Sequence, residues 1–195
     1  MADTLSKGSR NRDALVSAAA RLFWQHGFHG SSLSDIAKAA DIPVGNLYYY
    51  FKTKSDVAHA VASGFAADTQ DMLDEIAAVS PDPHRRLSLL SQRLTASQKA
   101  RMTHGCPVAA AVREFRLDAP AASARAAEVF TLIAGFISSE CGRTGLRPAL
   151  ALAAGRAAVA EWQGGIVLGH ALSDVSAISE SGRRLSRLLG VQEAR

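Results

Sequence analysis

Apolar residues recur along this chain at intervals of three and four positions, which is the repeat of a helix with one buried face. The longest run, from Val57 to Ile76, predicts a helix over residues 55–79. Breaks at proline, glycine and polar residues separate further predicted helices at about 10–26, 33–40, 44–50, 83–103, 107–117, 120–141, 147–172 and 174–189. No segment alternates apolar and polar residues as a half-buried strand does. The pattern therefore predicts an all-α fold of about nine helices.

Residues 31–54 contain two short predicted helices joined by a tight turn. Ser32 precedes the first apolar run and Asp35 follows three positions later, which is the spacing of a capping box. Pro43 disfavours helix at the residue before it and is accepted at the opening of a new helix, so it separates the two. This arrangement predicts a helix-turn-helix.

The second short helix divides into two faces when its residues are placed 100° apart. One face holds Val44, Leu47 and Phe51 with Tyr48 at its edge, and the other holds Gly45, Asn46, Tyr49 and Tyr50. The second set suits a DNA groove, because glycine admits close approach and an asparagine amide can bond the edge of adenine. Lys52, Lys54 and tyrosine hydroxyls can contact phosphates. The alternative is a short solvated helix with exposed tyrosines.

Residues from about 12 to 61 resemble the DNA-binding domain of TetR-type transcriptional regulators. The matching residues are Leu15, Ala18, Ala19, Leu22, Phe23, Gly27, Phe28, Ser32, Ile36, Ala37, Ala40, Gly45, Asn46, Leu47, Tyr48, Phe51 and Lys54. Two residues depart from the family pattern, because Asp41 stands where glycine is usual and Pro43 where serine is frequent. Aspartate tolerates a left-handed turn conformation better than most residues.

The resemblance implies a three-helix DNA-binding domain joined by a long helix to a helical ligand-binding and dimerisation domain. We expect residues 1–9 to form a disordered arm, residues 10–55 the DNA-binding domain and residues 56–195 the second domain. The residues expected to contact DNA are Ser32, Ser34, Pro43, Val44, Gly45, Asn46, Tyr48, Tyr49, Tyr50, Lys52 and Lys54. The expected partners are a palindromic double-stranded DNA operator, a small-molecule inducer and a second copy of the chain.

Positive charge is concentrated in the part of the chain that is predicted to bind DNA. Residues 1–55 hold seven lysines and arginines against four aspartates, a net charge of +3, and the whole chain carries +4. Neutralisation of phosphates supplies most non-specific affinity for DNA. No apolar run approaches the roughly 20 residues of a membrane span, and the polar N-terminus lacks the apolar core of a signal peptide. Two cysteines in such a chain favour reduced thiols and a cytoplasmic protein that binds no membrane.

The last two predicted helices carry an apolar surface that favours a dimer interface. Adjacent glycines, Gly164 and Gly165, each cost about 1 kcal/mol relative to alanine inside a helix, so close approach of another helix is a reason for them. The alternative is that this surface completes the core of one protomer. TetR-type regulators usually pair through their last two long helices, and the residues expected at the interface are Trp162, Gly164, Gly165, Ile166, Ile178, Leu185 and Leu188.

The resemblance also implies a ligand pocket among the helices between about residues 55 and 172. In this family an inducer bound there moves the long helix and changes the spacing of the two DNA-binding domains. The expected lining residues are Phe65, Met72, Met102, Cys106, Arg113, Phe130 and Trp162. Residues like the apolar ones are more often ordinary core than ligand contacts, and Arg113 is equally suited to the surface.

Cys106 precedes Pro107 at the predicted start of a helix, a position that favours thiol reactivity. This suggests a regulator that senses oxidants or electrophiles through Cys106, with His104 as a polar neighbour. A cysteine-dependent enzyme is a further alternative, but it needs an oriented base, and no Asp or Asn lies near His104 in the sequence. Metal-ligand spacings and nucleotide-binding glycine motifs are also missing, so we expect no enzyme, metal or cofactor. The plainer interpretation of Cys106 is a small buried residue.

Overall fold

The computed structural model describes residues 7–191, and over that range the chain forms ten α-helices and no strand. The all-α prediction is confirmed. The helices are α1 Lys7–His26, α2 Leu33–Ala39, α3 Val44–Tyr50, α4 Lys54–Val79, α5 Pro83–Leu94, α6 Gln98–His104, α7 Pro107–Glu114, α8 Pro120–Arg143, α9 Pro148–Leu172 and α10 Val175–Leu188. The predicted arm over residues 1–9 lies largely outside the described range, and its last three residues, 7–9, belong to α1.

One predicted helix is two in the structure. The pattern predicted a single helix over residues 83–103, but α5 ends at Leu94 and α6 begins at Gln98. The cause is Ser97, whose backbone φ of 58° is left-handed and cannot continue a right-handed helix. Apolar periodicity does not reveal such a residue, because the backbone conformation of one serine leaves the spacing of the apolar residues unchanged.

The chain divides into two compact units, and their bounds do not follow chain order. One unit contains the described residues up to Ala66 together with Pro107–Ala127, and the other contains Ala67–Cys106 with the described residues from Glu128 onwards. The first unit has one continuous apolar core. Its members include Leu15, Phe23, Phe28, Ile36, Leu47, Phe51, Val57, Val61 and Phe115. The predicted boundary at residue 55 concerned the DNA-binding segment, and it remains a prediction.

In the second unit, α9 and α10 pack against each other through small residues. A Cβ on Gly165 would collide with the Ser181 side chain, and one on Gly169 would collide with Ile178. Ile178 and Leu185 of α10 are buried here. The close approach expected for the glycine pair is therefore intramolecular at Gly165.

Most residues that were expected at the dimer interface are buried inside the protomer. The buried ones are Trp162, Gly165, Ile166, Ile178 and Leu185. Gly164 has open space beside it, and Leu188 is exposed. The five buried residues therefore complete the core of the protomer, which was the alternative interpretation of this surface.

Helix α8 has the length and composition of a possible membrane span, but this is weak evidence. Val129, Ile133 and Ile137 of this helix are buried against protein, and so is Glu140. The carboxylate of Glu140 accepts hydrogen bonds from Arg86 and Arg143. Burial together with Glu140 raises the pKa of the Cys141 thiol. These contacts are those of a core helix.

We expect Gly165→Ala to reduce the free energy of unfolding, because the added Cβ forces α9 and α10 apart. Overpacking of this kind costs about 1–3 kcal/mol. The measurement is urea unfolding followed by circular dichroism. Gly135→Ala is the matched control, since Gly135 lies inside α8 with open space around its Cα. Alanine there should leave stability unchanged or raise it, so equal losses in the two variants would contradict the packing described for α9 and α10.

Candidate nucleic-acid interface

Helix α2 begins with a complete capping box. The Ser32 hydroxyl oxygen accepts the Asp35 backbone N–H at 3.1 Å, and Asp35 Oδ2 accepts the Ser32 backbone N–H at 2.9 Å. The Ser32 hydroxyl itself donates to the same carboxylate at 2.6 Å. These bonds lower the pKa of Asp35. Ser32 thus fixes the start of α2, while the neighbouring Ser34 is exposed on its first turn.

The turn between α2 and α3 is a C-terminal helix cap with aspartate in the glycine position. Asp41 has a φ of 54°, the left-handed conformation that its position in the turn predicted. Its N–H donates to the Lys38 carbonyl, and the Ile42 N–H donates to the Ala37 carbonyl, which is the Schellman pattern. Pro43 follows as the N-cap of α3 and provides no side-chain cap. The proline therefore sets the direction of α3 through its restricted backbone.

Helix α3 is anchored by Leu47, which is completely buried in the core of the first unit. Gly45 and Asn46 are exposed, and Tyr49 is 78% exposed. These three residues lie on the outward face, as the helical projection predicted. Tyr49 presents a hydroxyl, Asn46 an amide, and Gly45 a backbone without a side chain in front of it. Groups of these kinds contact base edges and phosphates in DNA complexes.

Two residues of α3 differ from the facial assignment. Val44 was placed on the buried face but is 45% exposed, because it occupies the first position of a seven-residue helix and extends beyond the core. Tyr50 was placed on the outward face but is half-buried and packs against the core, with its ring 5.0 Å from that of Tyr49. Tyr48, assigned to the edge, is exposed. We refer to Val44, Gly45, Asn46, Tyr48 and Tyr49 as the α3 outer face.

The end of α3 and the start of α4 are joined by a second capping box. Lys52 donates from Nζ to the Tyr48 carbonyl at 2.7 Å. Asp56 accepts the backbone N–H groups of Lys52 and Thr53, while its own N–H donates to the Thr53 hydroxyl. These bonds lower the pKa of Asp56. Lys52 remains exposed beside the α3 outer face.

The ammonium group of Lys54 is bonded within the first unit. Its Nζ donates to the carbonyls of Phe28 and Ser31 at 3.0 and 3.3 Å, and it lies 4.3 Å from the centre of the Phe28 ring. The phosphate contact expected of Lys54 stays a prediction. The Lys54 ammonium fixes the loop between α1 and α2, and sequence spacing could not distinguish this loop from a phosphate as its partner.

Glu114 of α7 contacts the same loop, and no sequence pattern indicated this contact. Gly27 ends α1 with a φ of 78°, and the N–H of Phe28 then donates to Glu114 Oε2. The Phe28 ring packs edge-on against Phe23 and Phe115. The loop that orients α2 is consequently fixed by residues from α4 and α7.

The residues expected to line a ligand pocket are divided between the two units. Phe65 and Arg113 belong to the first unit, whereas Met72, Met102, Cys106, Phe130 and Trp162 belong to the second. Arg113 is exposed and pairs with Glu114 at 3.3 Å. Phe65 borders a void of only about 10 Å³. The first unit therefore offers these two residues no ligand-sized cavity among those described.

In the second unit, Trp162 contacts one other predicted pocket residue, Phe130. Its indole N–H donates to the Leu94 carbonyl at 2.8 Å, Phe130 packs edge-on against its ring, and the Arg101 guanidinium lies 5.1 Å from the ring centre. Burial lowers the pKa of Arg101. Cys106 is 8% exposed. The two larger grooves described in this unit are lined by other residues.

No group of three or more His, Cys, Asp or Glu residues within 7–191 is arranged to hold a metal ion. The clustering of open backbone, amide and hydroxyl groups on the α3 outer face is thus the most distinctive chemical feature of the first unit.

Comparison with known proteins agrees with this geometry. Residues 15–61 match the sequence pattern of the family described as bacterial regulatory proteins, tetR family. The chain is 35% identical over 89 residues to the HTH-type transcriptional repressor KstR2 of Rhodococcus jostii, covering 46% of this chain and 44% of that protein. It is 41% identical over 54 residues to the probable HTH-type transcriptional regulator YttP of Bacillus subtilis, covering 28% and 26%. The matches thus span less than half the length of these relatives.

The similarity of fold extends over nearly the whole chain. A TetR transcriptional regulator from Legionella pneumophila superposes with a TM-score of 0.79 at 17% identity, covering 98% of this chain and 100% of that one. SCO4454, a TetR-family transcriptional regulator from Streptomyces coelicolor, gives 0.78 at 18% identity, covering 93% and 95%. The helix-turn-helix residues and the sequence matches thus assign residues 15–61 to the tetR family of bacterial regulatory proteins, and the chain shares the fold of solved TetR regulators.

Proposed function

We propose that this protein is a homodimeric transcriptional regulator that binds a palindromic operator and is released from it by a small molecule, most simply as a repressor. The observation that carries the proposal is the α3 outer face, where Gly45, Asn46 and Tyr49 are exposed on a helix anchored by the buried Leu47. A helix presented in this way can enter the major groove of DNA, which is wide enough to admit an α-helix. The matched relatives are themselves named as transcriptional regulators and repressors.

The residues of this face divide naturally between reading bases and contacting phosphates. Asn46 carries an amide that can bond both exposed atoms of an adenine edge. Tyr48, Tyr49 and Lys52 carry groups that bond phosphate oxygens and fix the register of the protein on the duplex. The absence of any carboxylate from α3 avoids repulsion between the helix and the phosphates. Lys54 is left out of this set because its ammonium is bonded inside the protomer.

A dimer is supported by an apolar surface that α9 and α10 leave exposed. Val167, Leu168 and Leu172 of α9 and Leu188 of α10 are all exposed in the protomer. A groove of about 470 Å³ on these helices is lined by Gly164, Leu168 and Leu188 among others. Covering such a face with its copy removes apolar area from water. A two-fold dimer reads two half-sites about 34–36 Å apart or at a multiple of that distance.

The alternative of a thiol sensor acting through Cys106 is less well supported. Reactive cysteines are partly exposed thiolates, whereas Cys106 is buried. The interpretation of Cys106 as a small core residue accounts for its position. Release by a small molecule that binds the second unit, in a cytoplasmic protein, therefore remains the leading proposal.

We expect Asn46→Ala to relax sequence preference at one base position in each half-site, since it removes a contact to a base edge. Lys52→Ala should instead weaken all sequences nearly equally and reduce the salt dependence of binding by about one counterion. The measurement is selection of bound DNA from a random pool with the full-length protein, followed by titrations at several salt concentrations. Loss of discrimination in both variants alike would show that the two roles are wrongly divided, and no salt-dependent binding at all would overturn the proposal.

We expect Lys54→Met to reduce the free energy of unfolding by about 1–3 kcal/mol, because two carbonyls lose a charged donor. Lys52→Met is the control, since Lys52 is exposed and bonds one carbonyl. Urea unfolding of both variants provides the measurement. If Lys54→Met keeps full stability and only loses DNA affinity, the internal role assigned to Lys54 is incorrect.

We expect Leu168→Glu to convert the dimer into monomer, because it places two charges within an apolar contact. Sedimentation equilibrium at micromolar concentration measures the change. Leu117→Glu is a suitable control, since Leu117 is 88% exposed and belongs to the other compact unit. Persistence of the dimer in Leu168→Glu would move the interface away from α9.

A further inference from the structure

A polar groove lies between α5, α6 and α10, away from the residues that the family resemblance assigns to ligand binding. Its volume is about 290 Å³, at the lower end of small-molecule sites. Among the residues that the structure describes, the lining contains five hydroxyl side chains, two glutamine amides and one arginine, and no carboxylate. This composition differs from that of the apolar α9–α10 surface, so the groove is suited to a polar ligand.

The floor of the groove is held in shape by hydrogen bonds between helices. The hydroxyls of Ser91 and Ser186 lie 2.9 Å apart and link α5 to α10. The Ser179 hydroxyl donates to Gln98 Oε1 at 2.6 Å and links α10 to α6. Ser91 is itself buried. The positions of these polar groups are therefore fixed before any ligand binds, which lowers the entropic cost of binding.

Gly182 allows the two sides of the groove to come together. A Cβ at this position would lie 2.8 Å from Thr95 Cγ2, closer than real Cβ contacts. Helix α10 therefore approaches the end of α5 more closely here than a larger residue would permit.

Arg183 provides the one charge of the groove, and its guanidinium makes no hydrogen bond or ion pair with any side chain or carbonyl in the described range 7–191. The amide of Gln92 and the hydroxyl of Ser88 are likewise unbonded within that range. The next arginine on α10 is different, because Arg184 pairs with Glu161 at 2.8 Å and with Glu180 at 3.7 Å. Arg183 and Gln92 are exposed and Ser88 is half-buried, so these three polar side chains of the groove are accessible to a ligand.

We propose that this groove binds a small phosphorylated polyol, such as a sugar phosphate. The Arg183 guanidinium is suited to a phosphate, which it can bond through two parallel N–H groups. Ser88 and the amide of Gln92 are suited to ligand hydroxyls, because each can donate and accept. The lack of a carboxylate removes the repulsion that would reject a phosphate. The inference goes beyond the proposed function and does not depend on it, since it concerns binding without DNA.

The test is isothermal titration calorimetry of the full-length protein with glucose 6-phosphate, ribose 5-phosphate and glycerol 3-phosphate, each compared with its unphosphorylated polyol and with inorganic phosphate. At least one phosphorylated polyol should bind more tightly than its unphosphorylated polyol and more tightly than inorganic phosphate. Arg183→Gln should weaken that binding about tenfold or more, as expected for loss of a charged bidentate contact. Arg187→Gln is the matched control, because Arg187 lies one turn further along α10 and does not line the groove.

A second variant separates the groove from general charge effects. Ser88→Phe fills the groove without altering Arg183, so it should also abolish binding while circular dichroism shows an unchanged helical fold. The proposal is overturned if no phosphorylated polyol binds better than inorganic phosphate, if Arg187→Gln weakens binding as much as Arg183→Gln, or if Ser88→Phe leaves binding intact. Operator binding is measured separately, so failure here leaves the DNA-binding proposal standing, and the reverse also holds.

Discussion

A helix of seven residues is not stable in water by itself, and both helices of the helix-turn-helix have that length. Their conformation depends on burial of Ile36 and Leu47 in the core and on bonds that satisfy the helix ends. Capping boxes begin α2 and α4, and a Schellman cap ends α2. Because α3 lacks a side-chain cap, its orientation rests mainly on Leu47 and on the turn before it. The presentation of Asn46 and Tyr49 follows from these constraints.

The local part of this arrangement could be predicted from the sequence. The capping residues, the proline between the helices and the left-handed Asp41 are all local signals that depend on a few neighbouring residues. Leu47 and Asn46 were also assigned to the correct faces. The projection was less accurate at Val44 and Tyr50, because a projection assumes an infinite helix. In a helix of two turns, the end residues are placed by what surrounds the ends.

Contacts between distant parts of the chain could not be predicted in this way. The partner of Lys54 is a loop 23 to 26 residues earlier, and the partner of Glu114 is 86 residues away. A lysine after a helix-turn-helix is compatible with either a phosphate or a carbonyl, and only the fold decides between them. The same limit applies to predictions from the glycine pair of α9. Two adjacent glycines indicate close packing of a helix, but they do not show whether that helix belongs to the same chain. The structure assigns Gly165 to an intramolecular contact and leaves Gly164 on the surface.

The contact between Glu114 and the Phe28 backbone has a consequence for how this protein can be divided. The compact unit that contains α3 is discontinuous, since it consists of the described residues up to Ala66 and a second stretch, Pro107–Ala127. A fragment cut after α4 would lose Phe115 from the aromatic cluster and leave the Phe28 N–H without its carboxylate. Moving α3 into a chimeric protein with its supporting core intact therefore requires both segments, or a host that supplies an equivalent acid and aromatic ring.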